Sequence, residues 1–372
     1  MTLRLIAFTP RGTLLARELA EKLEQGGHRC DARSFRPFPD GTGQPALPCL
    51  ERTTLAQWPA AAFREAEGLI FISACGIAVR AAAPFLRDKH TDPAVVAVDE
   101  GGRFAVALLS GHTGGANRLA REVAEAVGAQ PVVTTATDGA GLLAIDDWAA
   151  QNGWRLDRPE RVKAISAALV AGGTVSFSSD LPVRGPLPRG YLPGEVSPAL
   201  WFTLSAAPSQ ALKVVPPALW VGIGCRRGAT GERIAAAVEA ALAAGDLTPL
   251  AVAGAATISI KGEEPGLLAL CREKDWPLRC FPPEELALQP GEFTPSPFVK
   301  ETTGVDNVCE RAAVAASGGG RLLVKKTVLD GVTAAVAACP VTVRLGPGET
   351  GGTGGTDRPG DRPWAWNGKE RS

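Results

Sequence analysis

The sequence predicts a multi-domain α/β protein whose mostly parallel, Rossmann-like sheets are flanked by helices. Three observations predict it. Strand-like apolar runs alternate with amphipathic stretches through the first third of the chain, the pattern of a parallel sheet covered by helices. The run "GLIFISA" is continuously apolar, as a strand buried on both faces requires. A second strand, glycine turn and helix open at "LWVGIGCRRGATGERIAAAVEAALAAG", and 372 residues are more than one ordinary core holds.

The elements follow in order. "LRLIAF" reads as a strand, and "GTLLARELAEKLEQGG" as a helix stopped by its glycine pair. After "GLIFISA" comes a short helix, "GIAVRAAAPFL". "AVVAVDEGGRFAVALL" reads as two strands turning at Glu100-Gly101-Gly102. Leu119, Val123 and Val127 recur every four residues, so an amphipathic helix follows "SGHTGGAN". Arg118/Glu122 and Arg121/Glu125 pair on its outer face. "QPVVTTATD" is the next strand. Then "ERVKAISAALVAGG" is helical and "TVSFSSD" a strand. Residues 181–217 hold many prolines and little periodicity, and read as a linker or loosely packed segment. From Gly346 the chain is rich in Gly, Pro and Thr, with no core pattern. The predicted organisation is an N-terminal α/β domain (1–138), a middle region with a Pro-rich linker (139–217), a C-terminal α/β domain (218–340) and a disordered tail (341–372).

Composition narrows the function. The 39 basic and 39 acidic residues cancel, which argues against nucleic-acid or anionic-membrane binding by the molecule as a whole. "MTLRLIAFTPRG" carries too short an apolar run for a signal peptide or a membrane span, so the expected compartment is the cytoplasm. The eight cysteines form no CxxC pair and predict neither a zinc site nor a disulfide framework. Cys225, beside Arg226 and Arg227, reads as a loop residue rather than a nucleophile, since no histidine stands near it in sequence.

Four stretches carry candidate chemistry. "VGIGCRRG" lies at a strand-to-helix junction, but Arg227 occupies the place of the third glycine of a dinucleotide fingerprint. An anion site helped by Arg226 and Arg227 and a plain tight turn both remain open there. "LRDKHTDPAV" offers a carboxylate, an ammonium and an imidazole together, or is a solvated loop. In "ATISIKGEEPGLL", Lys261, Glu263 and Glu264 suit the start of a helix. "SGHTGGAN" is the most informative. Gly111, Gly114 and Gly115 free the backbone at a strand-to-helix corner, Asn117 donates or accepts, and His112 is one of only three histidines. A glycine turn capped by a histidine is the plainer account.

Taken together, "GLIFISACGIAVRAAAPFLRDKHTDPAVVAVDEGGRFAVALLSGHTGGANRLA", "PVVTTATD", "VGIGCRRG", "ATISIKGEEPGLLAL", "TPSPFV" and "GVDNVCERAAV" resemble the cobalt-precorrin-5A hydrolase family of the anaerobic cobalamin pathway. The likeness runs from the first strand to about residue 340 and is loosest in the middle. The resemblance implies a corrinoid substrate, opening of its ring-A δ-lactone, and loss of a two-carbon fragment as acetaldehyde. It implies no cofactor and no metal of the protein's own, because cobalt belongs to the substrate, and exchange of intermediates with other enzymes of the pathway. His90 and Cys75 fall within the matched block, without an assigned role.

The residues suit that chemistry. Water must attack the lactone carbonyl, a base must take its proton, and the oxyanion needs donors. His112 with Asp92 or Glu100 is the expected base system, and the Gly114/Gly115 backbone with Asn117 the expected donors. Arg80, Lys89, Arg226, Arg227 and Lys261 are the expected partners of substrate carboxylates, with Gly111 and Glu264 lining the substrate site. Two other classes remain: a non-catalytic corrinoid carrier, and a nucleotide-dependent enzyme on the same scaffold.

Overall fold

A computed structural model of the protein describes residues 1–36, 47–48, 57–88, 91–111, 114–135, 141–194 and 197–346. The chain divides into two compact units, Met1–Trp148 and Ala149–Ser372.

The first unit runs β1 (Thr2–Ala7), α1 (Pro10–Gln25), β2 (Arg29–Ser34), α2 (Gln57–Glu65), β3 (Gly68–Ile72), α3 (Cys75–Ala82), β4 (Ala94–Val98), β5 (Phe104–Leu109), α4 (Ala116–Val127) and β6 (Gln130–Val132). The sheet order is β2-β1-β3-β4-β5-β6. Every neighbouring pair is parallel except the β4–β5 hairpin. Side chains alternate between faces with the two-residue period of a strand. Leu3, Leu5, Ile70, Ile72 and Val96 pack with Leu19 of α1 and Leu119 of α4. Ile6, Leu69, Phe71 and Val95 pack with Trp58 of α2 and Ala78 of α3 on the other face. Burying each large apolar side chain is worth about 1.5–3 kcal/mol, so both faces hold the helices down. Thr9 caps α1 by accepting the Gly12 N–H (3.1 Å), and Gly128 ends α4 at φ +70°.

The chain enters the second unit along α5 (Ile145–Gln151). There β7 (Arg155–Leu156), α6 (Val162–Val170), β8 (Val175–Ser179), β9 (Tyr191–Pro193), β10 (Leu200–Phe202) and β11 (Leu212–Val215) build a sheet ordered β7-β11-β10-β8-β9. The stretch expected to be a linker therefore supplies three of its strands. They are three or four residues long, too short to show a period, and Pro193 closes the edge strand β9, where a missing N–H costs least. Phe202 meets Phe177 (5.7 Å between ring centroids) and Trp154 (6.1 Å) edge to face.

The remaining sheet is ordered β14-β13-β12-β16-β15. Its elements are β12 (Leu219–Cys225), α7 (Gly231–Ala244), β13 (Val252–Ile258), α8 (Pro265–Glu273), β14 (Leu278–Phe281), α9 (Pro283–Ala287), α10 (Pro297–Thr303), α11 (Cys309–Ala316), β15 (Arg321–Leu329) and β16 (Val332–Ala338). β12, β13 and β14 run parallel, and β16 is antiparallel to β12. α11 lies so close over β12 that a Cβ on Gly222 would overlap the Cys309 carbonyl and the Ala313 nitrogen. Past β16 the chain returns to the connection between β8 and β9. Val343 bridges Val183, and Val343 and Leu345 are fully buried. The expected tail boundary at 341 thus falls too early, because these two apolar residues are used. Residues 347–372 lie outside the described residues. No helix among the described residues is long and apolar enough to cross a membrane.

Candidate functional site

In the first unit, β5 runs antiparallel to β4, so the end of β5 returns to the start of β4. β6 runs with β5, and its outgoing loop reaches the same edge. The stretches "LRDKHTDPAV", "SGHTGGAN" and "PVVTTATD" are thereby brought to one corner.

Each glycine of the corner has a reason inside it. A Cβ on Gly111 would stand 2.8 Å from Asn117 Oδ1, so its absence admits the amide. A Cβ on Gly114 would overlap the Ser110 side chain and lie 3.2 Å from the Asp92 carbonyl. Gly115 takes φ +85° at the N-cap of α4, and Ser110 itself sits at φ +58°, a conformation uncommon for a residue with a side chain. Asn117 is 1 % exposed; its Nδ2 donates to Thr135 Oγ1 at 3.1 Å. The N–H groups of Ala116 and Asn117 donate to the carbonyls of Ser110 and Gly111 (both 3.0 Å). These two α4 donors are therefore spent within the corner, and Asn117 braces it rather than facing a ligand. Thr135, absent from the residues singled out by sequence, is the other half of that brace. Its signal is the polar pair Thr134–Thr135, which follows the three-residue strand β6 after a single valine.

Asp92 is 9 % exposed, and its two carboxylate oxygens accept the Arg87 N–H at 2.9 and 3.2 Å. It closes the loop leading into β4. Glu100 is placed elsewhere. It is exposed in the β4–β5 turn, at the far end of β4 from Asp92, and does not join the corner. A strand rises about 3.3 Å per residue, so β4 alone separates the two by roughly 15 Å. The neighbouring Asp99 holds that turn: its carboxylate accepts from the amides of Phe104, Arg103 and Gly101 and from the Arg103 guanidinium. Burial works against its charge, but these bonds keep its pKa below the ordinary value. Cys75 opens α3, exposed, at the same far edge, and Arg80 is exposed in the last turn of α3. Lys89, His90 and His112 lie outside the described residues.

In the second unit, the carboxyl ends of β12 and β13 carry "CRRG" and "KGEEPG" side by side, the edge where open α/β sheets receive ligands. Glu264 is 8 % exposed. Its Oε1 accepts the Gly228 N–H (2.5 Å) and its Oε2 the Lys261 ammonium (3.2 Å). The Gly228 bond, with Lys261 behind it, holds the Glu264 carboxyl below the ordinary glutamate range, against the effect of burial. Glu264 is thus turned into the protein and is not open to substrate, and Lys261 is partly committed to it. Arg226 and Arg227 are exposed. Thr230 caps α7, accepting the Arg233 N–H at 3.4 Å. Burial pushes the Cys225 thiol up, as expected of a residue that is not a nucleophile.

The last two sequence stretches join each other. Glu310 is fully buried and accepts the Thr294 N–H (2.7 Å), the Thr294 hydroxyl (2.8 Å) and the Lys326 N–H (2.6 Å). Asn307 Nδ2 donates to the Thr294 carbonyl at 2.8 Å. "TPSPFV" and "GVDNVCERAAV" are therefore one polar joint, with Glu310 and Asn307 buried and Thr294 at the surface, and the Cys309 thiol beside it is pushed up to about 11 by burial.

Helix-covered, mostly parallel sheets with loops at the carboxyl ends of their strands define an α/β protein of the class that receives small ligands at that edge. Three family models match the chain: "Cobalamin synthesis G N-terminal" at residues 57–138, "Cobalamin biosynthesis central region" at 143–213 and "Cobalamin synthesis G C-terminus" at 219–337. The cobalt-precorrin-5A hydrolase of Salmonella typhimurium is 34 % identical over 358 residues, covering 89 % of this chain and 96 % of its own. That of Priestia megaterium is 31 % identical, covering 90 % and 94 %. A solved cobalamin biosynthesis protein G homologue from Sulfolobus solfataricus aligns over 91 % of this chain and 97 % of its own, at 20 % identity and a TM-score of 0.40. The chain belongs to the cobalt-precorrin-5A hydrolase family.

Proposed function

We propose that this protein hydrolyses cobalt-precorrin-5A: water opens the ring-A δ-lactone, and a two-carbon fragment leaves as acetaldehyde to give cobalt-precorrin-5B. The observation that carries this reading is the 34 % identity to the Salmonella typhimurium cobalt-precorrin-5A hydrolase across 96 % of that protein.

Attack of water on the lactone carbonyl releases a proton and builds an oxyanion. His112, between Gly111 and Gly114, is the base in this reading. Asp92 and Asn117 act by shaping the loops on either side of it. Collapse of the oxyanion expels the ring alkoxide, which is then protonated, and the later carbon–carbon cleavage needs a proton delivered to the macrocycle. In the second unit Arg226 and Arg227 grip substrate carboxylates, for which a guanidinium offers two parallel donors. Cobalt arrives and departs with the substrate, and the reading asks for no further cofactor or metal.

The test is to incubate the purified chain with cobalt-precorrin-5A, without nucleotide, and to trap acetaldehyde while following the mass of the corrinoid. Acetaldehyde with an opened lactone is expected. Binding of the corrinoid with no acetaldehyde would make the protein a carrier. Product that forms only with added nucleotide would make it a different enzyme.

A further inference from the structure

We infer that Glu264 is a positioning residue for substrate recognition: it fixes the Arg226–Arg227 loop from behind, so that two guanidiniums stand ready for two neighbouring carboxylates. The inference rests on reading Arg226 and Arg227 as substrate partners.

The loop is held on both sides of Gly228. Gly228 follows the arginines at φ +77°, and its N–H is given to Glu264 Oε1, while Lys261 fixes Oε2. Beyond it, the backbone of Gly266 in α8 lies so close that a Cβ there would overlap the Ala229 carbonyl. The next residue, Thr230, is tied down as the cap of α7. Among the described residues, by contrast, neither Arg226 nor Arg227 makes a side-chain hydrogen bond or an ion pair. A rigid backbone thus carries two adjacent positive groups whose donors are not engaged by those residues. Ile260, 60 % exposed in the turn after β13, adds an apolar surface next to Lys261.

The identity of the anion follows from what the loop withholds. Loops that bind phosphate offer backbone N–H groups at a glycine turn. Here the Gly228 N–H is occupied by the protein's own carboxylate. Recognition is left to guanidinium side chains, which match planar carboxylates in pairs. The fitting ligand carries carboxylates on neighbouring positions, as the proposed substrate does.

The experiment compares the full chain with Glu264→Ala, Glu264→Gln and the double variant Arg226→Ala/Arg227→Ala, reading KM and kcat for acetaldehyde release together with the melting temperature. Glu264→Ala is expected to raise KM about tenfold and to move kcat less than about threefold. Glu264→Gln keeps an acceptor for the Gly228 N–H and should recover most of that loss. Added to the arginine double variant, Glu264→Ala should change KM little further, because it acts through those side chains. An unchanged KM in Glu264→Ala, a loss confined to kcat, or effects that multiply independently would overturn the inference. If the arginine variant itself has a normal KM, the arginine assignment falls first and Glu264 with it. If the wild type releases no acetaldehyde, the hydrolase reading fails alone, and the same variants are compared by the Kd for cobalt-precorrin-5A from quenching of tryptophan fluorescence. The same pattern is expected there.

Discussion

At the scale of single residues, two side chains carry the sharpest expectations. His112→Gln should bind the corrinoid and lose turnover by roughly 100- to 10,000-fold, the usual effect of losing a general base. A destabilised but fully active His112→Gln protein, judged by melting and turnover on one preparation, would return His112 to a turn-capping role. Glu264 adds a dependence on pH. Its folded pKa lies below the ordinary value of 4.5, because the Gly228 N–H and then Lys261 favour its charged form. Its contribution to stability is therefore complete above the unfolded value and is lost as pH falls through the folded one. The melting temperatures of wild type and Glu264→Gln should keep a constant gap from neutrality down to about pH 5 and converge at lower pH. A gap that widens on acidification would contradict this. Residues were the hardest scale to read from sequence. The glycines of "SGHTGGAN" suggested a backbone opened toward a ligand, yet Gly111, Gly114 and Gly115 each answer to Asn117, Ser110, Asp92 or a positive φ. Glu264 looked like a ligand for substrate because its partner Gly228 lies 36 positions away, and no local pattern records that bond.

At the scale of elements, legibility followed length. β3 and β4 are five-residue strands buried at every position, and their apolar runs announced them. α4 keeps Leu119 and Val123 inward, and Arg118 meets Glu122 at 3.4 Å on its outer side, as spacing predicted. β9 and β10 have three residues each and sit among prolines, so no period could form. The strand β12 was located correctly, but its first glycine was ambiguous. In a dinucleotide fingerprint the first glycine serves the tight turn, whereas Gly222 makes room for α11. Gly222→Ala should therefore force α11 away from β12. A loss of more than about 3 kcal/mol in denaturant unfolding, or failure to fold, is expected, because the colliding atoms are backbone and cannot rotate aside. Normal stability of the Gly222→Ala protein would show that the helix has room to retreat.

At the scale of the whole molecule, the predicted architecture of helix-flanked, mostly parallel sheets holds in both units, with antiparallel exceptions at β4–β5, β7–β11 and β12–β16–β15. The position of the chain's useful end is the testable point. A chain stopped after Gly346 keeps Val343 and Leu345 and should melt like the full-length protein. A chain stopped after Pro340 loses both buried side chains, worth about 3 kcal/mol or more, and should melt roughly 5–10 °C lower. Equal melting of the two truncations would mean that the Val183–Val343 bridge contributes nothing. The same bridge has a consequence for synthesis. The Val343 N–H donates to the Pro182 carbonyl at 2.8 Å, and its carbonyl accepts the Arg184 N–H at 2.9 Å. At the ribosome, Val183 emerges roughly 160 residues ahead of Val343, a delay of about 10 to 30 s at ordinary translation rates. For that interval a nascent chain holds the Pro182–Arg184 backbone with its last neighbour still unwritten, and it is there that a chaperone or a protease would find it.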